Sequence, residues 1–246
     1  MSKEKIIKKQ ARESLQGNIS ILIAGGIAIC AMILLFEYAA YLAGILLGVI
    51  DITTDEIVAG GELTYLLLSL GEITLIALAS PFINGFLKAA ANTAIYKRCE
   101  STDLFCFFSD SLLYLKTIVI NMALCMMWLI ISMPFEFIFN LIFEEGGFMG
   151  ILNTVIVVLW KIIIYLFFVH YPLAAYAIDD SKSVGKYIFG YIGFSFRNCG
   201  KILKLIFSML GWILLCFFVL PMLYVVPYLA VAIMNSARWL FALEEQ

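Results

Sequence analysis

Three ionisable residues fall inside long apolar runs of the chain: Glu37, Glu72 and Lys161. A charge at the centre of a bilayer costs about 2.5–3.5 kcal/mol on insertion scales, so each needs a partner or a task. Measured from the outer ends of their runs at ~1.5 Å per residue, all three lie within roughly 6 Å of one depth. A buried Glu–Lys–Glu cluster is therefore possible, and it would serve as a polar substrate site or a proton relay. The same residues also fit an ion pair that fixes helix register, or side chains reaching back to the interface.

Other chemistry is thin. His170 is the single histidine, and no Cys or carboxylate stands at ligand spacing to complete a zinc site. Asp179 and Asp180 are adjacent, so on a helix they would point to different faces, and a helix end or loop is the expected role. No G-x-S-x-G elbow, phosphate-binding loop or dinucleotide fingerprint is present. The six cysteines (Cys30, Cys99, Cys106, Cys125, Cys199 and Cys216) form no C-x-x-C pair and read as reduced structural thiols. No catalytic residue, metal site or cofactor is expected, and the chain reads as a non-enzyme.

The elements that would position the three charged residues follow from composition. Apolar residues make up 63% and charged residues 14% of the 246, and mean hydropathy is +1.01. A soluble fold of this length could not hide so much hydrocarbon, because its surface needs polar cover. Lipid is the expected solvent, and the expected class is all-α: a polytopic transmembrane helix bundle with about six spans. The run from Ile19 to Ile50 is too long for a signal peptide's apolar core and reads as an uncleaved first span.

Residues 1–18 place Ile6, Ile7, Ala11 and Leu15 at helical spacing among lysines, a basic amphipathic helix suited to an anionic leaflet. Spans are expected at about 19–50, 63–80, 113–143, 149–177, 201–220 and 226–242. Residues 63–98 as one helix would reach ~54 Å against a ~30 Å hydrocarbon core. A kink or break at Pro81 is expected, with 82–111 emerging as an interfacial segment. A second interfacial segment covers 179–200. The last apolar stretch is expected to turn at 220–227, between Pro221 and Pro227.

Charge orients this scheme. With the N-terminus inside, every Lys and Arg except Lys161 falls on the cytoplasmic side. The outer loops (51–62, 144–148, 221–227) carry Asp51, Asp55, Glu56, Glu62, Glu144 and Glu145. Both termini are expected in the cytoplasm.

The segment ARESLQGN (residues 11–18) resembles the A-R-x-x-L-x-G-N opening of a family of bacterial membrane proteins, domain-of-unknown-function family 975. The stretch from Pro81 to Gly85, the DLF at 103–105, the block from His170 to Leu215 and the VVPY at 225–228 follow in the same order. Between 145 and 170 the chain departs from that pattern, running on where the family shows a proline-glycine break. The resemblance spans nearly the whole chain; it implies a multi-span bundle and supplies no activity or site residues.

The reading that follows is a non-enzymatic plasma-membrane protein, a scaffold or accessory subunit acting through membrane lipids and other membrane proteins, with no nucleic-acid partner. The alternative is a small transporter or substrate-binding component built on Glu37, Glu72 and Lys161, because broken helices often flank substrate sites.

Overall fold

A computed structural model describes residues 3–51, 58, 62–143, 147–215 and 218–244. They are 89% helical, with no strand among them. The elements are α1 (Lys3–Leu15), α2 (Ile19–Leu46), α3 (Glu62–Tyr96), a 3₁₀ segment (Ser101–Phe108), α4 (Ser111–Ile142) and α5 (Gly147–Tyr165). After a π turn at Leu166–His170 come α6 (Tyr171–Ile178), a second π turn (Lys186–Gly190), α7 (Tyr191–Arg197), α8 (Cys199–Leu215) and α9 (Val219–Glu244). Five stretches are long and apolar enough to cross a membrane: Ile19–Leu46, Thr74–Tyr96, Ser111–Ile142, Met149–Ile178 and Pro221–Ala242. The 17 residues of α8 rise only ~26 Å, short of a full hydrocarbon core.

Prolines shape the helices differently from the sequence expectation. Pro81 does not end α3, which continues through it to Tyr96. One turn earlier, where a proline loosens the ladder, the Tyr114 hydroxyl donates to the Leu78 carbonyl at 3.0 Å. The stretch 82–96, expected at the interface, is the best-buried part of α3. Ala89, Ala90 and Ala91 are at most 1% exposed, because small side chains let α6 and α9 approach. The turn expected at 220–227 also moves: α9 already starts at Val219 and runs through Pro227. Pro221 falls in its first turn, where backbone N–H groups lack helical partners and a missing one costs little. Near Pro172, the π turn at Leu166–His170 widens the helix and lets α5 pass into α6.

Burial is concentrated at one end. Leu22 of α2, Ile120 and Leu124 of α4, Tyr176 of α6, and Tyr228 and Met234 of α9 are all fully buried there. The other halves of α2 and α4 stay bare, with Leu35 63%, Phe137 67% and Leu141 71% exposed. The buried end is also the basic end, since the ammonium groups of Lys116, Lys182 and Lys204 all bond to elements gathered at it.

Asn18 locks that end. Gly17, at φ +86°, turns the chain from α1 into α2, a conformation glycine adopts freely. The Asn18 amide then donates to the Ser14 and Lys97 carbonyls, both at 2.9 Å, and its Oδ1 accepts from the Cys99 N–H at 3.1 Å. Lys97 itself sits at φ +56°, where a non-glycine residue needs such support. Asn18→Ala strands buried backbone groups, and we expect it to cost about 2 kcal/mol, read as a lowered melting temperature in detergent.

Candidate functional site

Lys161 lies on α5, opposite α4 in a tight hairpin. Its Nζ is 2.8 Å from Oε2 of Glu136, and both side chains are about one-third exposed. The Trp128 indole N–H donates to the Lys161 carbonyl at 3.1 Å. Phe135 stacks on Trp160 with centroids 4.4 Å apart, and toward the turn the Asn153 amide donates to Asn140 at 2.9 Å. The pair is therefore embedded in a polar and aromatic zipper that sets the register of α4 against α5. Glu136 was not among the sequence candidates. The available signal was the hairpin itself: residues on either side of a short turn face each other across it.

Glu37 lies elsewhere. It is exposed on α2, beside Leu34 and Tyr38 in a shallow groove. The backbone of Glu72 belongs to α3, and its side chain lies outside the described residues. Of the three sequence candidates, then, Lys161 has its carboxylate partner on α4, and Glu37 makes no ion pair with it. His170 closes the π turn between the rings of Tyr165 and Tyr171, each 6.3 Å away. Ser80 and Asn84, one turn apart on α3, are buried without a protein hydrogen-bond partner among the described residues.

A second polar assembly follows α6. Asp179 caps that helix, and its Oδ1 accepts from the Ser181 hydroxyl at 2.7 Å. Lys182 is 3.3 Å from the same carboxylate and donates to the Tyr191 hydroxyl at 2.7 Å. Tyr187 donates to the Asp179 carbonyl and accepts from the Lys182 N–H, while Lys116 of α4 donates to the Asp180 carbonyl. The Ser181 bonds hold the Asp179 carboxyl below its usual range, and the Tyr191 bond raises Lys182. Burial raises Tyr187. Every shift moves away from neutrality, whereas an acid–base catalyst works best near the operating pH. The assembly latches α6 to α7 and α4.

The third feature is the docking of α1. Of the apolar face expected on a leaflet, Ile7, Ala11 and Leu15 are buried against protein, with α9 as the main neighbour, and Ile6 is exposed. Glu4 pairs with Lys204 of α8 at 3.2 Å, and the Lys8 ammonium donates to the Ser208 carbonyl at 2.9 Å. Lys3 lies 4.5 Å from the Trp239 ring centroid, and Arg12 lies 5.6 Å from that of Trp212. Basic cavities flank this junction. One of ≈ 450 Å³ opens between α1, α8 and α9, one of ≈ 290 Å³ lies beside Lys182 and Lys186, and a third of ≈ 380 Å³ follows Lys5, Lys8 and Lys9. An apolar groove of ≈ 310 Å³ runs between α2 and α9. Neither Lys161 nor Glu136 lines any of these cavities. The five described cysteines are free thiols; Cys216 lies outside the described residues.

No protein-family model, curated protein or solved structure matches this chain.

Proposed function

We propose that this chain is a non-enzymatic, multi-pass plasma-membrane protein, a scaffold or accessory subunit whose working face is its basic end on the cytoplasmic side. The observation that carries the reading is the distribution of charge and packing. The cations and the dense core share one end, and the intramembrane lysine is already neutralised by Glu136 away from the cavities. A transporter would instead need a polar path to that lysine.

Span number and orientation belong to the same proposal. Lys3, near one end of the sequence, touches Trp239, near the other, which supports both ends on one face and an even number of crossings. Five apolar stretches leave one of the six expected crossings unassigned. The lack of Lys and Arg in the expected outer loops supports a cytoplasmic location for that face. The bare apolar halves of α2 and α4 then face lipid or other membrane proteins. The order of motifs that resembles domain-of-unknown-function family 975 accords with a bacterial membrane protein of this kind.

The test is a flux measurement. Proteoliposomes containing the chain and a pH-sensitive dye should hold a proton gradient as long as protein-free vesicles. A leak that disappears in Lys161→Met would replace the scaffold with a transporter built on that residue.

A further inference from the structure

We propose that the cavity between α1, the start of α8 and the end of α9 binds the phosphate headgroup of an anionic phospholipid, which bridges the N-terminal helix to the α8–α9 hairpin. The inference builds on the membrane reading above and adds a defined lipid site to it.

The first argument is charge. Among the described residues, the ≈ 450 Å³ cavity is lined by the ammonium groups of Lys3, Lys201 and Lys204 and by the carboxylate of Glu4. Glu4 is spent on Lys204 at 3.2 Å. Lys3 and Lys201 approach one indole, that of Trp239, at 4.5 and 5.9 Å from its centroid. Neither has a carboxylate within ion-pair distance among the described residues. The ring's quadrupole attracts each ammonium, but it does not cancel the repulsion between them. A phosphate in the cavity that both residues line would offset it. Lys201 is also aimed, since its Nζ donates to Asn198 Oδ1 at 2.9 Å.

The second argument separates a lipid from free phosphate. Beneath the cations the cavity has an apolar floor that includes Ile7 and Leu205, each under 8% exposed. A soluble anion gains nothing from such a floor, whereas a glycerol ester and the start of its acyl chains do. Depth agrees: Trp239 lies near the end of the apolar stretch Pro221–Ala242, the headgroup level that tryptophan favours. Basic pockets between helices on the cytoplasmic side are where anionic headgroups bind.

The full-length protein, purified in a neutral detergent, is titrated separately with phosphatidylglycerol, phosphatidylcholine and inorganic phosphate. Lipid retention is read by native mass spectrometry and stability by melting temperature. Phosphatidylglycerol should be retained and raise the melting temperature, and the other two should do neither. Lys3→Gln with Lys201→Gln should weaken retention roughly 10-fold or more, as expected from two cations near a membrane surface. Lys3→Arg with Lys201→Arg should preserve it. The charge-matched pair Lys5→Gln with Lys9→Gln, on a different cavity of α1, should leave it unchanged.

Equal losses in both glutamine pairs would reduce the effect to general electrostatic attraction and overturn the site. So would undiminished retention in Lys3→Gln with Lys201→Gln. Stabilisation by inorganic phosphate equal to that by phosphatidylglycerol would overturn the lipid assignment. Loss of lipid selectivity with an intact proton gradient removes only this inference, and a Lys161-dependent leak removes only the scaffold.

Discussion

Gly85→Ala should lower the stability of the detergent-solubilised protein by about 3 kcal/mol, a melting drop of roughly 6–12 °C for a chain of this size. A Cβ built at Gly85 would stand 2.0 Å from the Leu104 carbonyl oxygen and 2.5 Å from its carbon. Side chains relieve overpacking by changing rotamer, but these are backbone atoms of the 3₁₀ segment, and moving them moves the whole elbow. That elbow is wedged in place, because the Leu104 side chain also meets Gly25 of α2, where a Cβ would approach to 3.0 Å. The internal comparison is Gly193→Ala, a helical glycine with nothing within 4 Å of its would-be Cβ. That change should be neutral or stabilise by up to about 1 kcal/mol, since alanine is the better helix former. If the two variants melt alike, the close approach of α3 to the 3₁₀ segment is wrong.

Breaking the Lys161–Glu136 pair is the second large effect. Lys161→Met leaves Glu136 without its cation inside an apolar stretch, and Glu136→Gln does the same to Lys161. Each single change should cost about 2 kcal/mol, somewhat less than a full intramembrane charge because both side chains keep about a third of their surface exposed. The double variant should recover most of that loss, since an uncharged pair of similar volume has no stranded charge. Glu37→Gln tests the original three-residue cluster. As a residue outside the pair it should not couple to Lys161 in stability. A strong coupling between Glu37 and Lys161 in a double-mutant cycle would restore the cluster and weaken the scaffold reading.

The contrast between Glu37 and Glu136 shows where sequence reasoning stopped. Depth along a span can be counted from residue number, and by that measure Glu37 and Lys161 were good partners. Azimuth cannot be counted the same way, because it depends on which helices become neighbours. The pair that formed joins α4 and α5, helices consecutive in sequence that pack against each other. Likewise Ile6, Ile7, Ala11 and Leu15 recur at helical spacing, and residues 3–15 are helical. An apolar face fits a lipid leaflet and a protein groove equally well, and only the position of α9 resolved which.

Pro81 makes the same point about length. A 35-residue helix overfills a bilayer if it stands upright in hydrocarbon, which is why a break was expected there. The residues beyond it are alanines with Asn84 and Thr93, and once α6 and α9 supply a surface to pack against, the helix has no reason to end.

What the sequence by itself determined is the helical class, the apolar stretches and the gathering of cations away from the acidic segments. Those properties are sums over neighbouring residues, and hydropathy and charge need no knowledge of the fold. Only the tertiary structure decided that Lys161 meets Glu136, that α1 is clasped by α8 and α9, and that the second half of α3 is core. Each is a contact between segments distant in sequence or dependent on helix rotation, and its energy exists only after the helices have chosen their neighbours.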